Sequence, residues 1–80
     1  MTLIEVISLC REELADEPVG VRRSWEEMFR YTLRHCDPQT ALKDFDPIDL
    51  ERRLIASGAN PPIVNGYVKR WQALVERHGR

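Results

Sequence analysis

The chain has 80 residues, with 12 Lys and Arg side chains against 13 Asp and Glu, for a formal net charge of −1. That length admits one domain with a modest core, and no apolar run approaches the ~20 residues a bilayer-spanning helix needs. The balance of charge does not mark a polyanion-binding protein by itself, but its distribution is uneven. Residues 1–20 hold Arg11 against Glu5, Glu12, Glu13, Asp16 and Glu17, whereas residues 61–80 hold Lys69, Arg70, Arg77 and Arg80 against Glu76.

A first helix is predicted over about 3–15. Thr2 followed by Glu5 is a capping box, in which the hydroxyl accepts an orphan N–H and the carboxylate reaches back to the cap. Leu3, Val6, Ile7, Cys10 and Leu14 recur at helical spacing and form its inward stripe. Glu12, Glu13, Asp16 and Glu17 crowd its C-terminal end, where the helix macrodipole disfavours negative charge. Met1–Glu5 carries no basic region or small-residue cleavage site, so a cytoplasmic protein with reduced thiols is expected.

Pro18 and Gly20 break the chain, and a second helix is predicted over about 21–36. Val21, Trp25, Met28, Phe29, Thr32, Leu33 and Cys36 face inward, and Ser24 with Glu27 offers a later capped start. Its outer face reads Arg22, Arg23, Glu26, Glu27, Arg30 and Arg34. A Glu26–Arg30 pair, worth about 0.3–0.5 kcal/mol, leaves more arginine than two glutamates can match. Surplus arginine on one face points to an anionic partner.

Asp37-Pro38 ends that helix, and residues 41–46 hold a helical turn that plugs Leu42 and Phe45 into the core. A third helix is predicted over about 47–57, capped by Asp46 with Pro47 at its first position and Leu50, Leu54 and Ile55 facing inward. Ser57-Gly58 closes it. A fourth helix follows over about 61–78, capped by Asn60 behind Pro61 and ended by Gly79 in a left-handed conformation. Val64, Tyr67, Val68, Trp71, Leu74 and Val75 form its inward stripe, and Lys69, Arg70 and Arg77 lie on the other side with Asn65 and Gly66. The fold class is therefore all-α, one domain of four main helices, with Trp25, Phe29, Phe45, Tyr67 and Trp71 as its aromatic packing.

The sequence contains no catalytic constellation. His35 and His78 both lie near helix C-termini, where a cation is stabilising in its own right. No glycine-rich phosphate loop, nucleophile with a base, or metal-ligand spacing is present, and capping accounts for Asp46 and Asp49. No cofactor, metal or small-molecule substrate is expected.

The order of these elements resembles the N-terminal core-binding domain of tyrosine recombinases and phage integrases. The resemblance rests on Thr2-Leu3-Ile4-Glu5, on Ser24-Trp25 and Leu33-Arg34-His35 in the second helix, and chiefly on the second half. Leu42-Lys43-Asp44-Phe45-Asp46-Pro47-Ile48-Asp49-Leu50-Glu51 is similar to the family's L-x-x-(I/L)-(T/D)-x-x-D-(L/I)-E run. Asn60-Pro61-Pro62-Ile63-Val64-Asn65-Gly66-Tyr67-Val68-Lys69-Arg70-Trp71 is similar to its S-P-A-T-V-N-R-Y-L-S-A-L-R helix.

The resemblance implies a SAM-like bundle forming half of a clamp on double-stranded DNA, with the second and fourth helices facing the duplex. By position it places Asn65 and Lys69 near DNA, with Arg22, Arg23 and Arg30 as their counterparts. Arg34, Arg70 and Arg77 complete the set of basic residues on these two helices. Gly66 stands where the family commonly has Arg, which removes one contact. The family's catalytic residues belong to another domain, so the chain is expected to cut nothing by itself, with a catalytic domain or sister protomers as further partners. The residues alone leave open a second class of function, a small helical protein-interaction module or inhibitor acting through the acidic end of the first helix.

Overall fold

The computed structural model describes residues 1–79; Arg80, part of the basic end, lies outside them. Four α-helices follow one another: α1 (Leu3–Glu13), α2 (Val19–His35), α3 (Pro47–Ala56) and α4 (Pro61–His78), with a 3₁₀ turn at Leu42–Asp44. The small all-α bundle is as the periodicity predicts. No helix among the described residues is long and apolar enough to cross a membrane.

The capping box at α1 is formed, with Glu5 N–H donating to Thr2 Oγ1 at 3.3 Å and Thr2 N–H donating to Glu5 Oε1 at 3.0 Å. The N–H groups of Leu3 and Ile4 donate to the carbonyls of Thr40 and Pro38, so the chain after α2 covers the start of α1. The helix stops at Glu13, short of the expected 15, and the acids that crowd its carbonyl end supply the reason. Downstream, α2 begins at Val19, two residues before the predicted start, because Pro18 already holds the extended backbone of a cap. Ser24 is therefore inside the helix and caps nothing. Val21, expected inward, is exposed.

Asp46 Oδ1 accepts from Ile48 N–H at 2.9 Å and Pro47 takes the first turn of α3, as read from the sequence. Ile55 departs from expectation: it is 45% exposed, because Leu50 and Leu54 alone face the core. The helix ends in a Schellman motif, with Ala59 N–H donating to Leu54 O and Gly58 N–H to Ile55 O. Gly58 has φ +93°, so among the described residues the left-handed one is Gly58 and not Gly79, which is at φ −88°. Asn60 precedes α4 but makes no side-chain cap bond. Pro61 and Pro62 carry no N–H, so the first turn has fewer donors to satisfy.

The core gathers around Trp71, which is fully buried. Phe45 meets it edge-on at 4.9 Å between ring centroids, and Phe29 does so at 6.2 Å. Trp71 Nε1–H donates to Thr32 Oγ1 at 2.9 Å, and that hydroxyl donates onward to Met28 O at 2.8 Å. The indole therefore joins α4 to α2 without an unpaired polar atom. Leu3, Val6, Ile7, Leu42, Leu50, Leu54, Val64 and Val68 fill the remaining space. Cys10 is buried and Cys36 half-buried; both are free, and burial pushes both thiols above their ordinary pKa. Trp25, assigned by the periodicity to the aromatic core, is only half-buried and lines the seam between α2 and α4.

Candidate nucleic-acid interface

Arg22, Arg23, Arg30 and Arg34 are all exposed on α2. Arg23, Arg30 and Arg34 recur at intervals of seven and four residues, which keeps them on one stripe of the helix. The anticipated Glu26–Arg30 pair does not form. Glu26 instead holds Arg11 of α1 in a bidentate contact at 2.8 and 3.0 Å. Among the described residues, none of the four arginines takes part in an ion pair. With Glu26 committed to Arg11, they face one other α2 carboxylate, Glu27.

The remaining basic candidates divide. Asn65 and Lys69 are exposed and one turn apart on the outer face of α4, and Lys69 is in no ion pair among the described residues. Arg70 is half-buried and turned toward α2: its Nη1–H donates to Ser24 Oγ at 3.0 Å, and its guanidinium lies 4.6 Å from the centroid of Trp25. Cation and ring face each other as electrostatics favours, and the seam between the two helices is held by a charged group that keeps part of its surface in water. Arg77 is engaged by Glu13 of α1 through two contacts of 2.8 and 3.1 Å. Of the eight candidates, five arginines therefore share the α2 side and its seam with α4, Asn65 and Lys69 occupy a separate face, and Arg77 ties down the acidic end of α1.

Two shallow grooves run along this side. Arg22, Arg23 and Arg30 line one with Val19, Glu26 and Glu27, enclosing about 550 Å³. Tyr31, Arg34, Tyr67, Ile63 and Asn60 contribute to the other, of about 540 Å³, which Glu27 also borders. In the second groove the Arg34 guanidinium lies 5.1 Å from the Tyr31 centroid, and Tyr31 lies 6.2 Å from Tyr67 with the rings 32° apart. Burial first, and then the Glu27 carboxylate beside it, pushes the Tyr67 hydroxyl pKa up.

The sequence reading places Glu27 on this face but misses Ser24, Tyr31 and Tyr67 as its members. The interval of three between Tyr31 and Arg34 was the available signal, since it brings a ring and a cation together on a helix. Among the described residues no cluster of three or more His, Cys, Asp or Glu side chains is placed to hold a metal ion. Compared with known proteins, the chain matches no family model, and no curated protein or solved structure is similar to it.

Proposed function

We propose that the chain is a non-catalytic DNA-binding module, a helical half-clamp like the core-binding domain of tyrosine recombinases and phage integrases, with double-stranded DNA as its partner. One observation carries this reading: Arg23, Arg30 and Arg34 form an exposed stripe on α2, joined by Arg22, and no carboxylate among the described residues pairs with them. Unpaired arginines on a rigid helix neutralise phosphates, which positions a protein on a duplex without specifying sequence. Their spacing suits that role, since Arg23 and Arg30 are separated by about 10 Å of helix rise, close to three steps along one DNA strand. Lys69 and Asn65 on α4 supply a second, smaller contact. Any strand cleavage belongs to another polypeptide segment or partner.

The test is fluorescence anisotropy of a mixed-sequence duplex over a series of salt concentrations. Binding is expected to weaken steeply with salt, and an Arg23→Ala/Arg30→Ala variant is expected to lower the logarithmic salt slope by about 2. A wild-type chain that leaves the duplex free even at low salt overturns the reading.

A protein partner is the second reading, and one observation favours it. Ile48 and Ile55 lie seven residues apart on α3 and are 41% and 45% exposed, an apolar ridge of the kind that protein contacts cover. The acidic end of α1 is a weaker candidate for that contact than its composition implies, because Glu13 is already bound by Arg77.

A further inference from the structure

Glu27 is out of place on a surface that binds phosphate. It borders both grooves, standing between the arginines on one side and the two tyrosines on the other. A carboxylate there repels every phosphate that the flanking arginines attract, so its presence calls for a donor to meet it. The Tyr67 hydroxyl lies beside it, and an ionised carboxylate accepts about four hydrogen bonds. Its carboxylate lines the groove and can accept from whatever enters it.

The groove walls describe that visitor. Tyr31, backed by the Arg34 guanidinium and packed against the buried Tyr67, presents aromatic surface, and Ile63, 48% exposed, adds apolar surface. A planar aromatic ligand with an amino group matches these walls and the acceptor together. The volume, about 540 Å³, lies within the range of small-ligand sites and exceeds what one nucleobase needs. Glu27 is only partly exposed and lies beside Tyr67, so a base edge that stays paired within a duplex reaches it less well than a base that leaves the stack.

We infer that the groove bounded by Glu27, Tyr31, Arg34, Ile63 and Tyr67 receives one unpaired, amino-bearing nucleobase, with cytosine the best match, while Arg30 and Arg23 hold the adjoining phosphates. Glutamate accepts from the exocyclic amino group of cytosine, and thymine presents a carbonyl oxygen at the same place, which the carboxylate repels. Stacking on tyrosine and on an arginine plane holds the base without regard to its identity, so discrimination rests on Glu27. This inference depends on the DNA-binding reading and adds to it a single-stranded specificity pocket.

The experiment compares fluorescein-labelled oligo-dC and oligo-dT of equal length, at low salt and mildly alkaline pH, where oligo-dC stays single-stranded. The mixed-sequence duplex forms a separate arm. The wild-type chain is expected to bind oligo-dC about tenfold more tightly than oligo-dT. Glu27→Gln, whose amide both donates and accepts, is expected to bring the ratio close to one by strengthening the oligo-dT complex. Tyr31→Leu is expected to weaken both oligonucleotides alike and leave their ratio intact, with thermal melts checking that each variant is folded. Equal binding of the two by the wild type, or a ratio unmoved by Glu27→Gln, overturns the pocket while duplex binding stands. Failure of the wild type to bind duplex or single strand at low salt overturns the DNA reading, and the pocket with it.

Discussion

Two regions of this small bundle use the same residue types to opposite ends. Where α1 meets α2 and α4, charge is spent internally: Arg11 grips Glu26 and Arg77 grips Glu13, each through two contacts. Along the outer stripe of α2, Arg22, Arg23, Arg30 and Arg34 have no ion-pair partner among the described residues. The difference is not composition, since both regions mix arginine with glutamate. It comes from tertiary packing, which brings Arg11 up to Glu26 and so withdraws the carboxylate that Arg30 would otherwise use. A paired arginine fastens one helix to another, and an unpaired one is available to a partner.

The sharpest way to separate fastening from availability is to remove the interior on which both regions stand. Trp71→Ala deletes the side chain that contacts Phe29 and Phe45 and leaves the Thr32 hydroxyl without its donor. A loss of about 3–5 kcal/mol is expected, most of what an 80-residue domain possesses, so circular dichroism at room temperature should show a largely unfolded chain. Thr32→Val is the milder form. It keeps the volume but orphans the Trp71 N–H, and about 1–3 kcal/mol should be lost in a denaturant titration.

The open stripe is expected to behave in the opposite way. Arg23→Ala/Arg30→Ala/Arg34→Ala breaks no ion pair among the described residues, so the melting temperature should barely move, with each site contributing within about 0.5 kcal/mol. Duplex affinity should nevertheless collapse, with the salt slope reduced by about 2.7. A variant that loses stability and keeps its affinity would mean that the stripe supports the fold instead of a ligand.

The helices and most of the core were legible in the sequence because their signals are local. The Thr2–Glu5 box, Asp46 with Pro47, and the stripes Leu3, Val6, Ile7, Cys10 and Val64, Tyr67, Val68, Trp71, Leu74 each follow from spacing within one helix. Ile55 and Val21 were misjudged because α3 and α2 bury narrower faces than their apolar residues suggest. The fate of each charge was not legible at all. Arg77 and Glu13 are 64 residues apart and Arg11 and Glu26 are 15 apart, so their pairing depends on how the helices pack. The candidate face was half visible: its arginines and Glu27 stand out on a helical wheel, but Tyr67 and the contacts of Arg70 with Ser24 and Trp25 join them only once α2 and α4 lie side by side.

Smaller effects refine the contrast. Arg77→Ala removes one fastening, and both side chains of that pair are about half exposed, at 60% and 49%. An exposed pair of this kind contributes about 0.2–1 kcal/mol, to be read as a modest fall in melting temperature that shrinks as salt is added. Its effect on the duplex salt slope should be smaller than that of Arg30→Ala, because Arg77 already has a carboxylate to replace phosphate. Equal effects on the slope would show that DNA displaces Glu13, and would move Arg77 from the fastening side of the comparison to the available side.

The least of these effects concerns the other fastening, the box at the start of α1. The Thr2 backbone N–H, and then its hydroxyl, hold the Glu5 pKa below the ordinary value of 4.5. A depressed carboxylate pKa contributes stability that is present above the unfolded-state value and disappears as pH falls through the folded-state value. Glu5→Gln should therefore melt slightly below the wild type at neutral pH, and the gap should close below about pH 4.5 as the wild-type carboxylate takes up its proton. A gap that persists in acid would assign the difference to helix propensity and leave the ionised box without a stabilising role. Duplex binding should be indifferent to this change at every salt concentration, since Glu5 begins α1 and lines neither groove of the α2 face.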